Sequence, residues 1–249
     1  MQNELLNYLV TQQIFACDAK QIHKAAHANM DMHEYDDFYV ERPEVMIENG
    51  IATISIQGLL TNGMPKIYEK MGLITSYETI KLEIESAILA GAQAIQFNIN
   101  SGGGSVNGAI ELSRYISRLT IPTASMVTSC ACSAAYMLAC ATNYIEATET
   151  AQIGNIGAIM TWDDYTKYDQ QIGIEEKAIY NNGATLKSTF YTAPNDEQIA
   201  FLQDTVNQHG EIFNSFVKSQ RSVIEEVFKA GWYYGEKALQ LGLIDKIKD

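Results

Sequence analysis

Basic residues are scarce in this chain: 17 Lys+Arg stand against 30 Asp+Glu, a formal net charge of -13. A surface so acidic excludes phosphate neutralisation as a general property, and with it nucleic acid as a partner. Long apolar runs are missing as well, none approaching the roughly 20 residues that span a bilayer. The start, Met1-Gln2-Asn3-Glu4-Leu5-Leu6, lacks the basic segment and apolar core of an export signal. The expectation is a protein neither exported nor membrane-anchored by its own sequence, at work in a cytoplasm. Cysteine is limited to Cys17, Cys130, Cys132 and Cys140, without C-x-x-C spacing or a second ligand pair nearby. That pattern favours buried free thiols over a zinc site or a disulfide frame. Three of the four histidines, His23, His27 and His33, crowd into eleven residues near the N-terminus. They form a weak metal pattern and read as solvated or packing side chains, so neither metal nor cofactor is expected.

What is present is a chain of 249 residues with 47% apolar content, enough to bury a core as one α/β domain with small extensions. Residues 1–43 are polar and mixed, and read as a helical and extended arm. From residue 44 to 249, β-rich runs alternate with helical ones. Ile51 to Ile56 and Ile95 to Asn100 alternate at period two and predict strands, while Tyr77 to Ala90 places Ile80, Leu82, Ile84, Ile88 and Leu89 on one broad apolar helical face. A helix is expected from about Val106 to Leu119, a strand over Thr123 to Thr128 after Pro122, and a small-residue helix over Ser133 to Ala141. This rhythm implies a mainly parallel sheet. Asn195-Asp196-Glu197-Gln198 has the form of a capping box that opens a long helix. Its apolar stripe runs Ile199, Leu202, Val206, His209, Phe213, Phe216, which reads His209 as a packed or interfacial residue.

Two strand-to-helix turns carry the chemistry. In Asn100-Ser101-Gly102-Gly103-Gly104-Ser105 successive glycines let backbone N–H groups approach a ligand with no Cβ in the way. Such a turn can be an oxyanion hole, a phosphate cradle or only a tight turn. The Lys-Ser/Thr pair of a P-loop is absent after the last glycine. The second turn, Thr128-Ser129-Cys130-Ala131-Cys132-Ser133-Ala134-Ala135-Tyr136, begins a helix near a serine. A serine there is ordinarily a cap. Its neighbours are nearly all small, as a sharp turn receiving a substrate backbone requires.

At these residues the chain resembles a known family. Asn100 to Gly104 is similar to the Asn-Ser-Pro-Gly-Gly element of ClpP-like and signal-peptide-peptidase-like serine peptidases, with Gly102 where proline is usual. Cys130 to Ala139 resembles their nucleophile segment, with Ser133 on the serine and Tyr136 on the first tyrosine. Ile153-Gly154-Asn155-Ile156-Gly157-Ala158 resembles their Gly-Ser-Ile-Gly-Val strand, and Gly235-Glu236-Lys237-Ala238-Leu239 with Gly242-Leu243-Ile244-Asp245 their closing element. The match covers about residues 44 to 247 in the right order. It implies a ClpP/crotonase-like α/β fold, a mainly parallel β-sheet with repeated ββα units flanked by helices, and a cofactor-free hydrolase.

The resemblance also implies a catalytic dyad. A ClpP-type triad needs a histidine some two dozen residues after the serine, and there is none between 34 and 208. Lys187, the only lysine between 178 and 217, lies in a segment that resembles the Gly-x-Tyr-Lys base segment of single-domain signal peptide peptidases. The reading is therefore Ser133 as nucleophile and Lys187 as general base, with the N–H groups of Gly103 and Ala134 as oxyanion hole. Asn155 replaces the family's strand serine and is expected to orient Lys187 through its amide oxygen. A lysine base must shed its charge near neutral pH, a shift of about 3 units or roughly 4 kcal/mol from its ordinary value, by desolvation. The small residues around Ser133 suggest a modest pocket for small or apolar side chains.

Two rivals accompany this reading. Acyl-CoA chemistry on the crotonase fold needs an acid/base carboxylate, and no Asp or Glu lies from 113 through 145. A catalytically silent assembly protein would use Ser133 and Lys187 as capping or surface residues. The polar arm and Thr75-Ser76-Tyr77-Glu78 before the first crossover helix look more like capsid-assembly (prohead) proteases of tailed phages than like membrane-anchored signal peptide peptidases. Scaffold, portal or capsid proteins are then the expected substrates, in host cytoplasm or prohead. A host soluble signal-peptide-peptidase-like protease is the alternative. Related enzymes form rings, so a homo-oligomeric ring is expected.

Overall fold

The period-two run at the start of the domain forms the strand around which the sheet is laid. The computed structural model describes residues 15–16, 45–63, 68–69, 72–162, 164–175, 177–187 and 193–248. Strand β3 (Ile51–Thr61) turns Ala52, Ile54 and Ile56 into the core and Ile51, Thr53 and Ser55 outward. It pairs in parallel with β5 (Ala94–Ser105), from Ile51 opposite Ala94 to Leu60 opposite Gly104. β5 pairs in parallel with β6 (Thr123–Cys132), β6 with β7 (Tyr144–Ala147), and β7 with β10 (Lys246–Ile247). The short β2 (Ile47–Glu48) closes the other edge antiparallel to β3. This is the expected mainly parallel α/β arrangement.

The expected ββα repeat is complete once, as β3, β4 (Ile74–Ser76) and helix α1 (Tyr77–Leu89). Later strands do the work of two. β6 pairs with β7 through Ala124 to Val127, then leaves it and pairs with β8 (Gln152–Gly154) through Cys130 to Cys132. The sheet thus splits beyond mid-strand, and the second halves of β3, β5 and β6 lean together around the two turns singled out above. Register shifts mark the split, between Gln57 and Leu59 in β3 and between Ile99 and Ser101 in β5.

Helices follow their sequence signals. Ser76 caps α1 by accepting the Thr79 N–H, and Ile80, Ile84 and Ala87 of its apolar face are buried. α2 (Ala109–Ile116) is shorter than expected, and α3 (Ala134–Cys140) is wholly buried, packed against β5, β6, α2 and the long helix over Asp196–Gln220. After α4 (Thr166–Gln171), α5 (Asp196–Gln220) opens on the predicted capping box, with Asn195 and Gln198 exchanging hydrogen bonds of 2.9 and 3.0 Å. Its stripe is buried only from Phe213 onward; Ile199 stays exposed because the first half of α5 extends past the core. β9 (Trp232–Tyr233) and α6 (Gly235–Gln240) complete the chain. Of the arm over 1–43, only β1 (Phe15–Ala16) lies within the described residues, paired antiparallel with Gly104 and Ser105. Among the described residues no helix is long and apolar enough to cross a membrane.

Two contacts fix this frame. A Cβ at Gly104 would collide with the Leu60 carbonyl oxygen, so β3 and β5 approach this closely only because position 104 is glycine. Gly104→Ala is expected to cost about 3 kcal/mol or more in urea unfolding, since backbone rather than a flexible side chain must yield. At the C-terminal end, Arg221 grips Asp245 with two hydrogen bonds of 2.8 and 2.9 Å, and Asp245 also accepts the Ile145 N–H at 2.8 Å. Burial pushes the Asp245 carboxyl up, but these donors outweigh it and hold it below the usual carboxylate range. The folded state therefore favours the ionised form. Its stabilisation is complete above the ordinary carboxylate value of about 3.9 and is lost as pH falls through the lower folded value. Asp245→Asn is expected to flatten that part of the acid limb of stability, measured by urea titrations from neutral to acidic pH.

Candidate active site

Strand β6 ends at Cys132 because Ser133 takes φ 56° and ψ -125°, left-handed backbone that a side-chain-bearing residue adopts only under constraint. The constraint is visible: the Ser133 N–H donates to the Gly154 carbonyl at 2.7 Å, and the chain turns at once into α3. Ser133 is only 2% exposed, and its side chain makes no capping hydrogen bond. The ordinary role of a serine at a helix start is thus not the one it plays. Next in the chain, the Ala134 N–H heads the helix and donates to no group among the described residues. Behind it, the Tyr136 hydroxyl donates to the Leu243 carbonyl at 2.9 Å, pinning the nucleophile segment to the closing element.

The glycine turn lies beside this helix start, with Ser101 paired opposite Ala131. Gly103 has φ 104°, which its missing Cβ permits. Its N–H donates to Ser101 Oγ at 3.1 Å, and that hydroxyl in turn donates to the Gly58 carbonyl at 2.6 Å. Of the two expected oxyanion donors, Ala134 is therefore open and Gly103 is engaged by Ser101. The fully buried Ser101 was not singled out from sequence; its only signal was a hydroxyl placed directly before three glycines.

Asn155 follows the carbonyl that holds Ser133. It too is left-handed, at φ 52°, and its N–H donates to the Gly231 carbonyl at 2.7 Å. Its side-chain amide makes no hydrogen bond among the described residues. Lys187 is exposed in the loop before α5, where Gln198 Nε2 donates to its carbonyl at 3.0 Å. Ser133, Ala134, Asn155 and the glycine turn are brought together by β5, β6 and β8. Among the described residues no hydrogen bond joins the Lys187 amine to Ser133 or Asn155.

Beside Ala134 opens a cavity of about 520 Å³ between α2, α3 and α5, bounded by Val106, Ala109, Met137, His209, Ile212 and Phe213. Small residues at Ala109, Ala134, Gly157 and Ala158 hollow out its wall rather than narrow it. Cys130, Cys132 and Cys140 carry free thiols, and burial pushes the Cys140 thiol well up. His23, His27 and His33 lie outside the described residues; among those described, no three His, Cys, Asp or Glu stand together as a metal would need.

A family model described as peptidase family S49 matches residues 117–249. The capsid assembly protease C of Escherichia phage lambda is 25% identical over 218 residues, 85% of this chain and 49% of that protein. The putative protease SohB of Buchnera aphidicola subsp. Baizongia pistaciae is 29% identical over 203 residues, 76% of this chain and 57% of that protein. The chain spans about half the length of the curated relatives it matches. Among solved structures, an enoyl-CoA hydratase from Shewanella pealeana aligns with a TM-score of 0.47 and 12% identity, covering 84% of this chain and 69% of the other.

The left-handed backbone at 133 stores strain of about 1–3 kcal/mol. Glycine adopts this conformation freely, at a backbone-entropy cost of about 0.5–1 kcal/mol. Ser133→Gly is expected to gain about 1 kcal/mol in urea unfolding, while Ser133→Ala, which keeps the strain, stays near wild type.

Proposed function

The chain belongs to peptidase family S49, and from that premise we propose that it is a serine endopeptidase using Ser133 as nucleophile and Lys187 as base. The observation that carries the reading is Ser133 itself: a strained serine with no capping role, set directly before an unbonded N–H at Ala134. In the proposed reaction Ser133 Oγ attacks a peptide carbonyl and the Lys187 amine takes its proton. Ala134 N–H, joined by Gly103 N–H once Ser101 releases it, holds the oxyanion. The proton then passes to the leaving amine, and water resolves the acyl-enzyme. An extended substrate fits along Gly104 and Ser105, the edge of β5 at which Phe15–Ala16 pairs antiparallel; those two residues would give way to it.

A lysine base works as the neutral amine, which removal from water favours. Lys187 is exposed, and its segment carries Ile159, Trp162, Tyr165, Tyr168, Ile172 and Ile179, all more than 40% exposed, the last 99%. Exposed apolar side chains gathered in one segment mark an interaction surface. The reading is that copies of this chain assemble through residues 159–201, and that the assembly dries Lys187 and brings Asn155 and Ser133 within its reach. A homo-oligomeric ring satisfies this.

Substrates follow from the relatives. The name capsid assembly protease C supports cleavage of scaffold, portal or capsid proteins during phage head maturation. The putative protease SohB, at 29% identity, and a putative signal peptide peptidase SppA of Enterococcus faecium, at 24%, support the second reading, a host peptidase of the signal-peptide-peptidase type. Digests of phage head proteins and of secretory precursors, read by mass spectrometry, separate the two.

Ser133→Ala and Lys187→Met are each expected to lower peptide hydrolysis by about a thousandfold or more, and Ser133→Ala to abolish labelling by a fluorophosphonate probe. If both variants label and hydrolyse as wild type does, the chain is a silent assembly protein or uses other residues.

A further inference from the structure

Resting on the peptidase reading above, we infer that the chain's own N-terminal segment is a built-in plug: the strand Phe15–Ala16 holds the place of an extended substrate, and the site works only in copies from which it has withdrawn. Topology argues for this. A strand offers two edges for pairing. At Gly104 one edge is taken by β3, with Leu60 opposite, and the other by β1, with Ala16 opposite. That second edge is the one β6 has just left, since its last residue paired with β5 is Ala131, opposite Ser101. Ser133 follows closely on Ala131, and Gly104 stands only about 10 Å along the strand from Ser101. β1 therefore lies along the edge of β5 that borders the turn at Ser133.

The site is closed accordingly. Ser133 is 2% exposed and Ala134 0%, and every residue from Ser101 to Ser105 is buried. Strand pairing exchanges backbone groups, so β1 competes with any extended peptide for the N–H and C=O groups of Gly104 and Ser105. Being part of the same chain, it competes at a high effective concentration. Its surroundings in the sequence suit the place: from Leu5 to Cys17 no side chain carries a charge, so a buried edge can take this run without desolvating one. The strand also rests in a site that is not armed. Gly103 N–H is engaged by Ser101, and among the described residues no hydrogen bond joins the Lys187 amine to Ser133.

Phe15 stands opposite Ser105. Residues so placed in an antiparallel pair have Cα atoms about 4.5–5.5 Å apart, within the span of a disulfide. The test is a reversible lock on the full chain carrying Phe15→Cys and Ser105→Cys, oxidised with copper phenanthroline and checked for the cross-link by mass. Activity scales with the fraction of copies whose site is free. Oxidation is therefore expected to lower Ser133 labelling by a fluorophosphonate, and hydrolysis of dye-labelled casein, by about tenfold or more. Dithiothreitol restores both, and the single variants show no such swing. Ala16→Pro, which removes a strand N–H, is expected to speed Ser133 labelling about fivefold or more over wild type. Because the lock is read before and after reduction in one sample, misfolding cannot mimic a reversible loss. A pair that does not cross-link overturns the plug and leaves the peptidase reading standing. So does a cross-linked protein as active as the reduced one, or a folded Ala16→Pro protein that labels no faster than wild type. Ser133 that labels neither in the reduced double variant nor in Ala16→Pro overturns both.

Discussion

The hydrogen bond from the Ser133 N–H to the Gly154 carbonyl is the point on which the site turns. It ends β6 as a strand, forces φ positive at a residue with a side chain, and starts α3 with a free N–H. β8, which offers that carbonyl, is itself held from the C-terminal side: it pairs with β9, and Asn155 N–H reaches the Gly231 carbonyl. α3 is tied the same way, through Tyr136 to Leu243, and the closing element is locked to β7 by Asp245 with Arg221. The strained turn at residue 133 thus owes its geometry to contacts up to some hundred residues later. That long-range closure suits a family match that runs from residue 117 to the end of the chain.

Much of this was legible in the sequence where the signal was local. Period-two alternation placed β3 and β5, an Asn and a Gln three residues apart placed the start of α5, and the runs of small residues placed both turns. Extents were less legible. β5 runs on to Ser105, through the glycines, because its last residues pair with Leu59 and Leu60 across a bulge that no local pattern encodes. The state of the Gly103 N–H was equally hidden, since its partner Ser101 is held by a carbonyl 43 residues earlier in the chain. Nor did the small neighbours of Ser133 reveal the size of the cavity, which depends on what stands opposite them. That is α5, some seventy residues onward, whose stripe announced an apolar face without saying what it would cover.

Lys187 shows the same boundary from the other side. Its identity as the candidate base rests on resemblance and on the lack of histidines, both properties of the sequence. Its distance from Ser133 is a property of tertiary and quaternary packing. In a chain with a net charge of -13, mutual repulsion keeps copies apart unless a specific surface overcomes it. Exposed apolar residues, among them Ile159, Trp162, Tyr165, Tyr168, Ile172 and Ile179, lie in the segment that carries the lysine.

Helix α5 touches both the loop that carries Lys187 and the cavity beside Ala134. At its start Gln198 holds the carbonyls of Thr185 and Lys187, its middle forms the open side of the cavity, and its last turns bury Phe213, Phe216 and Val217 in the core. A helix of 25 residues extends about 37 Å and moves as a stiff rod. Its C-terminal half is fixed by packing and its N-terminal half is exposed. The loop of Lys187 and the cavity lie on different elements from Ser133, yet one helix touches both.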